Sequence, residues 1–314
     1  MAKVAVIFPG QGSQKLGMGA EFYREVPAAK ALFDTANRVL GYDLAKLCFE
    51  GPEDELRQTI NTQPALYVTS CAALAALKSR VSIEPFAVAG HSVGEYAAIY
   101  ASGALGFEAG LGLIRRRAEL MQTTATQRPG AMAAVLGLDA ETAREVCEDA
   151  KDAGIVTVAN YNCPGQIVIS GEKAAVERAS ELAKEHGAKR VMPLPVSGGF
   201  HSPLMVAAGD ALYPSLRDAG FANTAIPVVS NVTAEYNRSG ADFAPFLTMQ
   251  VSGSVRWEES MRLLLADGVD TFVELGSGDV LSGLMKRIDK TVRTFSVQDM
   301  ASLNAAEEYL ANIE

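Results

Sequence analysis

Short apolar runs and longer amphipathic stretches alternate along most of this chain. Val4-Ala5-Val6-Ile7-Phe8 is uninterrupted and apolar, and it predicts a strand buried on both faces. Helical spacing follows over residues 21–40 and 53–58, then over 65–78, where Thr62-Gln63-Pro64 puts a proline near the first turn. Phe86-Ala87-Val88-Ala89 predicts a second buried strand, and a helix starts at Glu95. The longest helical stretch, 107–127, carries Leu111, Leu113, Ile114, Ala118, Leu120 and Met121 as its apolar positions.

Between 131 and 194 the rhythm changes. A strand over 131–136, a helix over 140–152, strands over 156–161 and 166–170 joined by Asn162-Cys163-Pro164-Gly165, a helix over 172–186 and a strand over 189–193 follow one another. That order is β-α-β-β-α-β, the ferredoxin-like arrangement. It predicts a small domain inserted into a larger α/β unit. Beyond it come a helix over 203–219, a strand over 226–230 leading into Asn231, and a helix over 255–266. A strand over 271–274, a helix over 280–288, a strand over 291–297 and a closing helix over 304–310 complete the chain.

Composition narrows the picture. In 314 residues, 48% are apolar and 21% charged, which suits a large buried core. The net charge of −9 argues against nonspecific binding to nucleic acid or to an anionic membrane. Cys48, Cys71, Cys147 and Cys163 lie far apart with no C-x-x-C spacing, so neither a disulfide frame nor a zinc site is expected, and a reducing, cytoplasmic setting is. The N-terminus runs directly into a strand without a signal-peptide layout, and no apolar run is long enough to span a membrane.

The candidate chemistry centres on Gly90-His91-Ser92-Val93-Gly94, a G-x-S-x-G sequence between a strand and a helix. The glycines leave room for a sharp turn that holds the serine hydroxyl exposed at the strand tip. A second glycine-rich loop, Pro9 to Gly19, follows the first strand. It fits neither the dinucleotide fingerprint nor the Walker A pattern, and reads either as a surface turn or as a donor of backbone N–H groups to an anionic centre. A serine at such a turn needs a base. Of the three histidines, His91 points away from Ser92 at the turn and His186 sits at an exposed helix end. His201, in the glycine-rich loop 195–203, remains by elimination. Arg115-Arg116-Arg117 fan over roughly 200° of helix, so one of the three faces the serine side or all three are solvated.

Taken together, these motifs resemble the bacterial malonyl-CoA:acyl carrier protein transacylases over essentially the whole chain. The resemblance rests on Phe8-Pro9-Gly10-Gln11-Gly12-Ser13-Gln14, Thr62-Gln63-Pro64-Ala65, Gly90-His91-Ser92-Val93-Gly94-Glu95, Arg117 ahead of Met121-Gln122, and Gly130-Ala131-Met132. It extends to Asn160-Tyr161-Asn162, Phe200-His201-Ser202-Pro203-Leu204-Met205, Ser230-Asn231-Val232 and Glu274-Leu275-Gly276. It implies an α/β-hydrolase-like catalytic domain over 1–128 and 196–314, with the ferredoxin-like subdomain over 129–195. It implies Ser92 as nucleophile, His201 as base, the backbone carbonyl of Gln250 as orienter of the imidazole, and the N–H groups of Gln11 and Val93 as an oxyanion hole. Arg117 would hold a malonyl carboxylate, with Gln63, Met132, Asn162 and Phe200 lining the substrate site.

The implied reaction moves malonyl from a coenzyme A thioester to the phosphopantetheine thiol of acyl carrier protein, for fatty acid synthesis, with no cofactor and no metal. A thioesterase using the same serine and a non-catalytic scaffold are the competing readings. Ser254 and Ser277 stand where the family usually has proline, and Asp279 where lysine is common. Lys189, Arg190, Lys286, Arg287 and Lys290 are candidates for a carrier-docking patch on an otherwise acidic protein.

Overall fold

A computed structural model describes residues 2–196 and 198–312; Met1, Ser197, Ile313 and Glu314 lie outside it, Ser197 within the glycine-rich loop that leads to His201. The strands are β1 Val4–Phe8, β2 Ala87–Gly90, β3 Ala131–Leu136, β4 Val156–Cys163, β5 Gln166–Gly171, β6 Arg190–Pro193, β7 Val228–Val229, β8 Tyr236–Asn237, β9 Thr271–Leu275 and β10 Arg293–Val297. They form two sheets. The large one runs β10-β9-β1-β2-β7-β8, parallel except for the terminal β8. The small one runs β4-β5-β3-β6 and is antiparallel throughout.

Period-two alternation explains why β1 is apolar at every position. Val4, Val6 and Phe8 face one hydrophobic core with the helices Thr59–Lys78 and Phe107–Gln127, while Ala5 and Ile7 face another built on Trp257, Met261 and Phe272. Helices thus cover both faces of the large sheet, as a parallel sheet requires. In the small sheet, Ala133 and Val135 pack under the helices Ala140–Asp149 and Lys173–Glu185. Met132 and Ala134 point the other way and join the large core beside the cleft between the sheets. The insert therefore contributes one wall of the site. Its strand order is the ferredoxin-like one, and the large sheet with its flanking helices is α/β-hydrolase-like.

Several elements differ from the sequence reading. The stretch 21–40 is two helices, Ala20–Glu25 and Pro27–Leu40, because Pro27 occupies the first turn of a new helix and cannot continue the old one. The helix expected from residue 65 begins at Thr59, so Pro64 lies inside it and leaves the Ile60 carbonyl without its intrahelical donor. The helices Leu44–Glu50 and Gly240–Ser252 were not foreseen. Among the described residues no helix is long and apolar enough to cross a membrane.

Candidate active site

Parallel pairing brings three strand ends together. Phe8 is opposite Gly90 and Ala89 is opposite Val229, so the loop after β1, the serine turn after β2 and the Ser230-Asn231 segment after β7 share one edge. At the turn, Ser92 adopts φ 52°, the left-handed region. A Cβ at Gly90 would overlap the backbone of Gly94 and Glu95, and one at Gly94 would overlap the Phe8 carbonyl. Both glycines of the motif are therefore steric requirements. Asn231 holds the turn from the side: its Oδ1 accepts the Ser92 N–H at 2.7 Å and its Nδ2 donates to the Gly90 carbonyl at 2.6 Å.

His201 reaches the same point from the segment after β6. Its Nε2 lies 2.7 Å from Ser92 Oγ. Its Nδ1 lies 2.8 Å from the Gln250 carbonyl and 3.1 Å from that of Gly253. Two carbonyls can only accept, so Nδ1 carries the proton and Nε2 presents its lone pair to the serine hydroxyl. Burial, the Arg117 charge and His91 push the His201 pKa down to about 3, which keeps the imidazole neutral. Such a pair can pass the hydroxyl proton to nitrogen without a carboxylate as its third member.

Of the three adjacent arginines, the structure turns Arg117 inward. Arg115 and Arg116 are exposed and pair with Glu119, whereas Arg117 is 1% exposed. Its Nη1 donates to Gln63 Oε1 at 2.7 Å, and its Nη2 donates to Gln250 Oε1 at 2.9 Å and to Ser92 Oγ at 3.2 Å. A guanidinium has five N–H donors. Three are used here, all on neutral oxygens, and Nε has no partner among the described residues. Burial lowers the Arg117 pKa, but a guanidinium stays charged throughout the accessible range. The result is a cation beside the serine hydroxyl with donors to spare.

The cleft encloses about 330 Å³ and is lined by Ser92, His201, Arg117, Gln11, Val93, Gln63, Met132, Asn162 and Phe200, among others. Gln250 stands behind it, fully buried. The backbone N–H groups of Gln11 and Val93 have no acceptor among the described residues. His91 is committed elsewhere: its Nε2 lies 2.9 Å from Asn162 Oδ1 and its ring packs on Trp257 with centroids 5.6 Å apart. Cys163 is buried, and burial raises its thiol pKa.

The serines at unusual positions find partners. Ser254 Oγ donates to the Val158 carbonyl at 2.6 Å, and Asn160 and Val255 form a parallel bridge, so the loop after Gln250 is tied to β4. Ser277 Oγ donates to the Ser13 carbonyl at 2.7 Å and braces the glycine-rich loop. The sequence reading gave no role to Asn231 or Glu95. A hint was present for Glu95: it is the one charged residue in Gly94–Ala101, a helix otherwise apolar or small.

The acyl transferase domain model matches residues 5–309. The chain belongs to the acyl transferase domain family. The malonyl CoA-acyl carrier protein transacylase of Bacillus subtilis is 48% identical over 99% of this chain and 98% of its own. Its Escherichia coli K12 counterpart is 39% identical over 98% of this chain and all of its own. Among solved structures, a type II polyketide acyl-carrier protein in complex with its malonyl-transacylase superposes with TM-score 0.95 at 40% identity, covering 98% of this chain and 100% of the matched one. The Streptococcus pneumoniae enzyme gives 0.93 at 45% identity, covering 98% and 100%.

Proposed function

We propose that this acyl transferase carries malonyl groups from malonyl-CoA to the phosphopantetheine thiol of acyl carrier protein through an ester on Ser92. The observation that carries the reading is that Ser92 Oγ lies within hydrogen-bond reach of both a neutral imidazole and a buried arginine whose hydrogen bonds all go to neutral oxygens. In the first half-reaction His201 Nε2 takes the hydroxyl proton as Oγ attacks the thioester carbonyl. The N–H groups of Gln11 and Val93 receive the developing oxyanion; losing one such donor costs about 3 kcal/mol of barrier. His201 then protonates the departing CoA thiolate. In the second half-reaction it takes the proton of the carrier thiol, which attacks the malonyl ester, and returns that proton to Oγ as the ester bond breaks, regenerating Ser92.

Throughout, Arg117 holds the malonyl carboxylate through paired hydrogen bonds. Gln63 sets the guanidinium, and Met132, Asn162 and Phe200 line the acyl site. This chemistry needs no metal or cofactor, and among the described residues no cluster of three or more His, Cys, Asp or Glu side chains could hold a metal ion. The division into 1–128 with 196–314 and 129–195, the supply of fatty acid synthesis and a cytoplasmic location belong to the same proposal.

The test is intact mass of both proteins after malonyl-CoA and then carrier protein are added. Transfer predicts that the carrier gains malonyl as the enzyme loses it. Free malonate with an unmodified carrier would instead identify a thioesterase.

A further inference from the structure

Glu95 is a carboxylate 3% exposed in the first turn of Gly94–Ala101, three residues past the serine. The proposed chemistry does not use it. Both of its oxygens accept: Oε2 from Gln250 Nε2 at 2.7 Å, and Oε1 from the Asn231 N–H at 3.3 Å. The same Gln250 nitrogen donates to the Ser92 carbonyl at 2.8 Å. Gln250 Oε1 is therefore left facing Arg117 Nη2, 2.9 Å away.

Only this amide orientation satisfies every partner. Turned over, the amide would set its nitrogen against the guanidinium, donor to donor. Its oxygen would then meet the Glu95 carboxylate and the Ser92 carbonyl, acceptor to acceptor. The arrangement also separates two charges. Glu95 meets Arg117 only through a neutral amide, so the guanidinium is held in place while its own charge stays unmatched by any contacting carboxylate.

We propose that Glu95 is a positioning residue for acyl-group selection: its carboxylate fixes the Gln250 amide, which aims Arg117 into the cleft as a free cation for a carboxylate-bearing acyl group. The inference rests on the malonyl-transfer reading above. Burial pushes the Glu95 pKa up to about 7, against the pull of the Gln250 and Asn231 hydrogen bonds and the Arg117 charge. The Gln250 and Asn231 donors and the Arg117 charge favour the ionised form, so the carboxylate predominates above about pH 7.

Glu95→Gln has nearly the same shape but only one accepting end. Either the Asn231 N–H or the Gln250 amide nitrogen loses its acceptor, and in the second case only the Ser92 carbonyl and the guanidinium itself still oppose rotation of the Gln250 amide. A hydrogen bond to a charged group is worth about 10- to 100-fold. E95Q is therefore expected to lower kcat/KM for malonyl-CoA about 10- to 100-fold more than for acetyl-CoA. In an R117A background the same substitution is expected to leave the malonyl-to-acetyl ratio unchanged. Should E95Q fail to fold, E95D carries the test, because it keeps the charge but withdraws it from Gln250, and the same selective loss is expected. Equal losses for both thioesters, or an undiminished ratio change without Arg117, would assign Glu95 a purely structural role and overturn the proposal. Wild-type enzyme that transfers no malonyl would instead defeat the underlying reading.

Discussion

Ser92 and His201 face each other with Oγ and Nε2 2.7 Å apart, and both hold left-handed backbones, at φ 52° and 56°. Such conformations cost about 1–3 kcal/mol each for a non-glycine residue and persist where surrounding bonds impose them. Here those bonds are visible: Asn231 and Gln250 hold the Ser92 N–H and carbonyl, and two backbone carbonyls hold the His201 ring.

His201→Ala is expected to fold and to lower malonyl transfer about 10²- to 10⁴-fold, the usual worth of a general base. Steady-state transfer to carrier protein checks it. Near wild-type rates would remove His201 from the reaction and make His91, whose Nε2 is held by Asn162, the next candidate.

The depressed pKa of His201 has a consequence for stability. An unfolded histidine binds a proton below about pH 6.5, whereas the folded site resists protonation down to about 3. Across that window the unfolded state holds the extra proton, so this site's contribution falls as pH falls. His201→Ala removes the penalty. Its Tm relative to wild type is therefore expected to improve between about pH 7 and about pH 5. A constant Tm difference would mean the imidazole is not held neutral.

Arg117→Ala is expected to cut kcat/KM for malonyl-CoA roughly 30- to 5000-fold, from about 2–5 kcal/mol for removing one partner of a buried charge pair. Acetyl-CoA, lacking the carboxylate, should lose little. Arg117→Lys should rescue in part, since an ammonium lacks the planar fork. Arg115→Ala and Arg116→Ala, on the exposed face, serve as controls. Parallel loss for both thioesters would make Arg117 structural.

Lys189, Arg190, Lys286, Arg287 and Lys290 are all exposed. Arg287 bonds the side chain of Gln166, which lines the cleft, and Arg190 lies two strands from Gln166, on the other side of β3. Lys286→Glu with Arg287→Glu should raise the carrier-protein KM and leave acylation by malonyl-CoA unchanged. Unchanged carrier kinetics at low salt would exclude this patch.

The fold was legible where local pattern and tertiary burial agree. The apolar run of β1, the glycine-flanked serine and the β-α-β-β-α-β insert each announce themselves within a short window. Arg117 is a partial case: helical geometry demands that three adjacent arginines diverge, but packing against Gln63 and Gln250 selects which one turns in. Gln250 was assigned only by resemblance, since its helix, Gly240–Ser252, begins with glycine and contains Pro245 and so resists a pattern-based reading. Glu95 shows locally only as a lone charge in an apolar helix and Asn231 not at all, because their meaning lies in contacts across the chain: 155 residues to Gln250 for one, 139 to Ser92 for the other.

The central claim is a malonyl ester on Ser92, and the most direct measurement is intact mass with peptide mapping after incubation with malonyl-CoA alone. One malonyl group is expected on the peptide containing Ser92 in the wild-type enzyme and none in Ser92→Ala. A label that persists in Ser92→Ala, or that maps to another peptide, would contradict the account.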